Sequence, residues 1–152
     1  MKPATKGRSK PKASNADNQG APPWTHGTFH WNELRTRHAA KIMKFYTAAL
    51  GWTFERMATP AGEDYWLAMA GGQPVAGLFT LVPGQFDNVP ESWIGYIAVD
   101  DVDARVAKAL KAGAKLMMPI FDIPNVGRVA MLMEPGGAGI GWMTPVGPQR
   151  KA

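Results

Sequence analysis

The stretch THGTFHWNELRTRH, residues 25–38, holds all three histidines of the chain, His26, His30 and His38, together with Glu33. Neutral imidazole is the commonest protein ligand for transition metals, and a carboxylate can complete such a set or move a proton beside it. The chemistry suggested is that of a metal centre. Three or four ligands must converge, so the question is which of these side chains a strand or helix would turn toward one interior. No cysteine occurs in the chain, which excludes thiolate ligands, thiol nucleophiles and disulfides.

The elements that must position these residues follow from periodicity. GTFHWNELRT alternates as a strand does. In HAAKIMKFYTAALGW, residues Ile42, Phe45, Tyr46, Ala49 and Leu50 recur at helical spacing, and Gly51 marks the helix end. WTFERM, DYWLAMA and PVAGLFTLV are three short strands separated by the turn signals TPAGE and GGQ. PGQFDNVPES is a polar connection, after which the order repeats. WIGYIAVD is a strand. DVDARVAKALKAGA is a helix with Asp101 as N-cap, Asp103 in its first turn and Gly113 at its end. AKLMMPIFDI, GRVAMLME and AGIGWMTPV are three further strands. The fold class is α+β: two βαβββ modules in tandem, about 27–82 and 93–146. Neither module buries enough surface to be comfortably stable alone.

Charge separates the first residues from the rest. Residues 1–22 carry Lys2, Lys6, Arg8, Lys10 and Lys12 against Asp17, while the other 130 residues hold 12 basic and 11 acidic side chains. The net +5 of the chain therefore belongs almost wholly to a basic tail without apolar period, expected to be a disordered, solvated extension. The domain is expected over 23–152 and is nearly neutral, so nucleic acid is not an expected partner. A tail that docks on an anionic partner is the lesser reading, and such binding would fall steeply with salt. No apolar run approaches the ~20 residues of a membrane span, and the N-terminus lacks the apolar centre of a secretory signal. A cytoplasmic protein without membrane contact is the expectation.

The ordered set KFYTAALGW after a strand, YIAVDDVDARVAKALKAGAK, and DIPNVGRVAMLMEPGGAGIGW resembles the vicinal oxygen chelate superfamily, which includes glyoxalases, bleomycin-resistance proteins and ring-cleaving dioxygenases. The resemblance spans about residues 27–146. It implies a glyoxalase-like curled-sheet barrel around an open cavity. In many members that cavity holds a divalent metal chelated by the substrate's adjacent oxygens. The implied ligand places lie on the first and last strand of each module. Here they fall on Trp31, Gly77, Ile94 and Gly141, none of which has a side chain able to bind a metal. A one-residue register shift would bring His30 or Asn32 inward, but module two still offers no ligand. No metal and no cofactor are expected, and the three histidines read as surface or boundary residues. His38 stands at the helix N-cap, where the family pattern has aspartate, so Thr36 is expected to help cap.

With Trp31 inward, a period of two carries Glu33 and Arg35 to the same face. The expected cavity is lined by Trp31, Glu33, Arg35, Gly77, Phe79, Ile94, Tyr96, Gly141 and Met143, mostly apolar with three polar anchors. Glu33 and Arg35 either pair with one another or hold a ligand. Tyr96 is either a satisfied core tyrosine or an acid, and Trp31 either core filler or a stacking surface. The two glycines either open space for a ligand or let neighbouring side chains fill it. The expected function is metal-independent binding of a small molecule by a homodimer. The alternative is a glyoxalase-related lyase, isomerase or dioxygenase using a divalent metal.

Overall fold

The computed structural model describes residues 23–59 and 64–150. The basic tail, residues 1–22, lies outside them. The element order is β1 (Phe29–Thr36), α1 (Ala39–Leu50), β2 (Thr53–Met57), β3 (Tyr65–Ala70), β4 (Gln73–Thr80), β5 (Ser92–Ala98), α2 (Val102–Lys111), β6 (Lys115–Leu116), β7 (Phe121–Ile123), β8 (Gly127–Met133) and β9 (Gly139–Pro145). One curled sheet runs β2-β3-β4-β1-β5-β9-β8-β6, with β7 also paired to β8. The first strand of each module pairs in parallel with its last, β1 with β4 and β5 with β9. The modules join where β1 meets β5 antiparallel. Both expected βαβββ units are present, with one correction. AKLMMPIFDI is not one strand but two, β6 and β7, interrupted across Met117–Ile120. Pro119 lies in the interruption and has no N–H to give a ladder.

Two clusters of buried side chains lie on opposite faces of the sheet. On the outer face Val102, Val106 and Ala109 of α2, at helical spacing, press on Val99, Ala130, Leu132 and Ile140. Each fully buried valine there contributes about 1.5–3 kcal/mol. The helix starts as the sequence predicts: the Asp101 carboxylate accepts the Ala104 N–H at 2.9 Å. The inner face holds Ile94, Tyr96, Val129, Met131 and Met143, with Trp31 and Phe121 against them. The equivalent helix α1 has no fully buried residue, and leaves Phe45 and Leu50 about three-fifths exposed. It ends at Gly51, whose φ of 71° is the left-handed conformation glycine adopts without strain.

Arg37 shapes the connection between the modules. Its Nη2 donates to the carbonyls of Phe86, Asp87 and Val89 at 2.7, 3.2 and 2.8 Å. One guanidinium thus satisfies three carbonyls of a segment that no ladder satisfies. At the other end, buried Trp24 bridges to Gln149 and donates its indole N–H to the Gly147 carbonyl at 3.2 Å.

Candidate functional site

The three histidines separate. His26 Nδ1 accepts the Asp100 N–H at 3.1 Å, before β1 begins. His30 is the extra residue of a bulge: Phe29 faces Ile97 and Trp31 faces Tyr96, leaving His30 unpaired and exposed. His38 precedes α1, makes no side-chain cap, and lies 3.6 Å from the Glu91 carboxylate. Its backbone N–H is taken at 3.0 Å by Thr36 Oγ1, but that N–H precedes the helix, so the bond is not the capping expected of Thr36. Thr36 Oγ1 in turn donates to Glu91 at 2.8 Å, and that bond, ahead of the charges of His38 and Arg37, holds the exposed carboxyl below its usual range. Among the described residues no three His, Asp or Glu side chains gather as a metal site.

The bulge restores the alternation that turns Trp31, Glu33 and Arg35 inward. Glu33 faces Gly77 on β4 and Ile94 on β5, and Arg35 faces Phe79. Tyr96 faces Gly141 on β9, Ala98 of the same strand faces Met143, and Gly141 faces Met131 on β8. All nine expected residues therefore lie on strands of the seam and its flanks, and the polar ones converge. Arg35 Nε donates to Glu33 Oε1 at 3.2 Å, Tyr96 OH donates to the same oxygen at 3.0 Å, and Arg35 Nη2 donates to Tyr96 OH at 3.2 Å. Nη2 also meets Met131 Sδ at 3.4 Å. Glu33 is 8% exposed, so this is an ion pair in the interior closed by a phenol. Glu33 and Arg35 do pair with one another.

One member of the cluster escapes sequence reasoning. Tyr65 on β3 receives the Trp31 indole N–H on its hydroxyl at 2.9 Å. Nothing in DYWLAMA singles it out, since a tyrosine in a strand is ordinary; only the pairing of β3 with β4 brings it over Gly77. A Cβ at Gly77 would collide with the Tyr65 hydroxyl and stand 3.0 Å from Trp31 Nε1. A Cβ at Gly141 would stand 2.5 Å from Tyr96 Cε1 and closer still to its Cδ1. The glycines thus do not leave vacant space: each accommodates a tyrosine ring. Two of the four places that the family resemblance marks for ligands are covered in this way, and Trp31 and Ile94 occupy the other two. These residues do not fit a divalent metal, because no oxygen or imidazole donor stands at any of the four.

Electrostatics follows from the geometry. Burial, reinforced by the negative charge of Glu33, pushes the Tyr65 and Tyr96 hydroxyls well above the usual tyrosine range. For Arg35 burial opposes the charge, but Tyr96 and Glu33 outweigh it and hold the guanidinium above its ordinary pKa. Both phenols therefore stay protonated at any physiological pH. A raised folded pKa stabilises the fold fully below the unfolded value, about 10 for tyrosine, and the contribution is lost as pH rises through the folded value. In an alkaline titration followed by tyrosinate absorbance, two of the chain's three tyrosines are expected to resist ionisation above pH ~10 until the protein unfolds. Reversible ionisation of all three near that pH, with the fold intact, would contradict the buried network.

Two surface grooves lie elsewhere. One, about 440 Å³, runs along α1 past Ala40, Met43, Lys44, Thr47 and Ala48. The other, about 300 Å³, lies at the C-terminal end of α2 against Leu132, Ile140 and Trp142. Both are open and carry no convergent polar groups, so the inner face of the sheet remains the chemically organised region.

Comparison with known proteins is in accord with this architecture. The family model of the Glyoxalase/Bleomycin resistance protein/Dioxygenase superfamily matches residues 28–141. A curated Mycobacterium tuberculosis protein named "Putative glyoxylase CFP32" is 40% identical over 116 residues, 76% of this chain and 44% of that protein. The "Anthracycline biosynthesis protein DnrV" of Streptomyces peucetius is 29% identical over 119 residues, 71% of this chain and 43% of that protein. The chain thus spans under half the length of the curated relatives it matches. Among solved structures, methylmalonyl-CoA epimerase from Mycobacterium tuberculosis is similar with a TM-score of 0.56 at 15% identity, over 84% of this chain and 93% of that one. A hypothetical protein from Bacillus halodurans C-125 is similar with a TM-score of 0.59 at 13% identity, over 83% and 96%. At such identities the structural likeness speaks for the fold alone.

Proposed function

This chain belongs to the glyoxalase/bleomycin resistance protein/dioxygenase superfamily, and from that premise we propose that it is a metal-independent small-molecule-binding protein. The observation that carries the reading is the filling of the family's metal places. Tyr65 covers Gly77, Tyr96 covers Gly141, and Trp31 and Ile94 stand at the other two. What remains on the inner face is a wall of Trp31, Ile94, Met131 and Met143, with Tyr65 bonded to Trp31 and Phe79 opposite Arg35, around one neutralised ion pair. Apolar walls with few fixed polar groups are what small-molecule sites have in common. The alternative, a lyase, isomerase or dioxygenase working through a divalent metal, needs donors that these positions lack. Glu33 does not stand in for them as a free base, since both Arg35 and Tyr96 bond one of its oxygens. The relative named for anthracycline biosynthesis lends support to an aromatic small molecule as ligand.

The same reading includes a homodimer in the cytoplasm. The exposed Phe45 and Leu50 of α1, with Trp93 beside the Tyr46–Trp52 stack, form an apolar outer surface that a second copy could cover. No described helix is long and apolar enough to cross a membrane.

Native mass spectrometry of protein purified from its own host tests these points together. The expected spectrum is a dimer carrying an organic small molecule and no stoichiometric metal, unchanged after incubation with zinc, nickel, manganese or iron. One tightly held metal ion per chain would overturn the metal-independent reading. A monomeric mass would overturn the dimer.

A further inference from the structure

Arg35 is not spent on its ion pair. A guanidinium has five N–H donors. In this chain Nε serves Glu33, and Nη2 serves Tyr96 and Met131. Among the described residues Nη1 donates to nothing. It is not sealed away either: Thr80 Oγ1 is the single described side-chain polar atom that is both buried from solvent and unpartnered. The Arg35 side chain is 19% exposed, and Nη1 keeps contact with solvent while Nε and Nη2 are engaged. Its orientation is held from two sides, by a carboxylate from β1 and a phenol from β5.

We infer that Arg35 Nη1 anchors an uncharged ligand bearing a carbonyl oxygen on a flat aromatic body, the body lying against Trp31. This rests on the binding reading above and narrows it to a ligand class. The acceptor follows from the donor: Nη1 carries two N–H groups with no acceptor among the described residues, while Nε and Nη2 are engaged by Glu33, Tyr96 and Met131. The absence of ligand charge follows from Glu33, whose oxygen 3.2 Å from the guanidinium already neutralises it. A ligand carboxylate would meet that like charge in a poorly solvated space. Both tyrosine hydroxyls are raised by burial first and by the charge of Glu33 second. The flat body follows from Trp31, which is half-buried: its polar N–H is already taken by Tyr65, so the apolar ring is what it has left to offer a ligand.

Three probes of one shape test the inference: 2-acetylnaphthalene, 2-ethylnaphthalene and 2-naphthoate. Binding is followed by calorimetry and by the Trp31 indole N–H resonance, assigned with Trp31→Phe. On the unaltered protein the ketone is expected to bind at least about tenfold more tightly than either the hydrocarbon or the carboxylate. Arg35→Lys keeps the charge facing Glu33 and removes Nη1. It is expected to weaken the ketone at least about tenfold and leave the hydrocarbon unchanged. If all three shift the Trp31 resonance with equal affinity, or Arg35→Lys leaves the ketone's advantage intact, the carbonyl anchor is wrong and the binding reading survives. If no probe moves that resonance, both fall. Should Arg35→Lys fail to fold, the ratio of ketone to hydrocarbon on the unaltered protein decides alone.

Discussion

Glu33→Ala should destabilise the fold by about 3 kcal/mol, toward the lower end of the 3–5 kcal/mol seen when one partner of an interior ion pair is removed. The reason is what stays behind. Arg35 would remain 81% covered with Nε unpaired, and Tyr96 OH would lose its acceptor. The residual exposure of Arg35 places the effect at the lower end, since solvent screens part of the stranded charge. Glu33→Gln keeps an acceptor and is expected to cost less. The double variant Glu33→Ala/Arg35→Met removes both charges and should recover most of the loss, because an apolar pair in place of a buried salt bridge is often neutral. Urea unfolding of the unaltered protein, Glu33→Ala, Arg35→Met and the double variant gives the cycle. A loss below about 1 kcal/mol for Glu33→Ala, or no recovery in the double variant, would show the pair to be solvated rather than interior.

The second large effect concerns Gly141 and Tyr96. Gly141→Ala puts a methyl group into the Tyr96 ring. The ring cannot swing aside freely, because its hydroxyl is held by Glu33 and Arg35. A cost of about 1–3 kcal/mol is expected from overpacking. Tyr96→Ala alone should cost about 3–5 kcal/mol, as for other large aromatic truncations. Together the two should cost at least about 1 kcal/mol less than their sum, since the new methyl then enters space that the ring has vacated. Strict additivity would mean that the two groups do not meet. Gly141→Glu, which restores a carboxylate at a family ligand place, should gain no metal affinity while Tyr96 remains.

Much of the architecture was legible because it repeats. Helix periodicity, the Asp101 cap and the Gly51 stop are local signals, and both helices form where those signals stand. The strand-to-face assignment of Trp31, Glu33 and Arg35 was also legible, since a period of two survives any detail of packing. Hidden were contacts made across elements distant in sequence. Tyr65 reaches Trp31 across 34 residues and Arg37 reaches the linker carbonyls across about 50. No spacing rule within one element reports either. The split of the strand after α2 was hidden for a different reason: Pro119 marks a possible interruption, but whether two short strands flank it depends on β8, which pairs with both. The histidine-rich stretch misleads in the opposite sense. Its residues are close in sequence because a bulge, a strand approach and a helix entry happen to follow one another, and each sends its imidazole elsewhere.

The seam between β1 and β5 has a consequence for how the chain reaches its native state. Glu33 and Arg35 come from one module, Tyr96 and Met131 from the other, at separations of 63 residues for Glu33 with Tyr96 and 96 for Arg35 with Met131. Contacts so distant carry their loop-closure cost before they return any stabilisation, so docking of the modules belongs to the slow part of folding. Until docking occurs in register, the Glu33–Arg35 pair lacks the phenol that completes it. A slip of one residue along the seam would turn both charges to the opposite face, away from Tyr96. The ion pair therefore acts as a proofreader of the joint: hydrophobic collapse of the two sheets tolerates many alignments, and this network is satisfied by one.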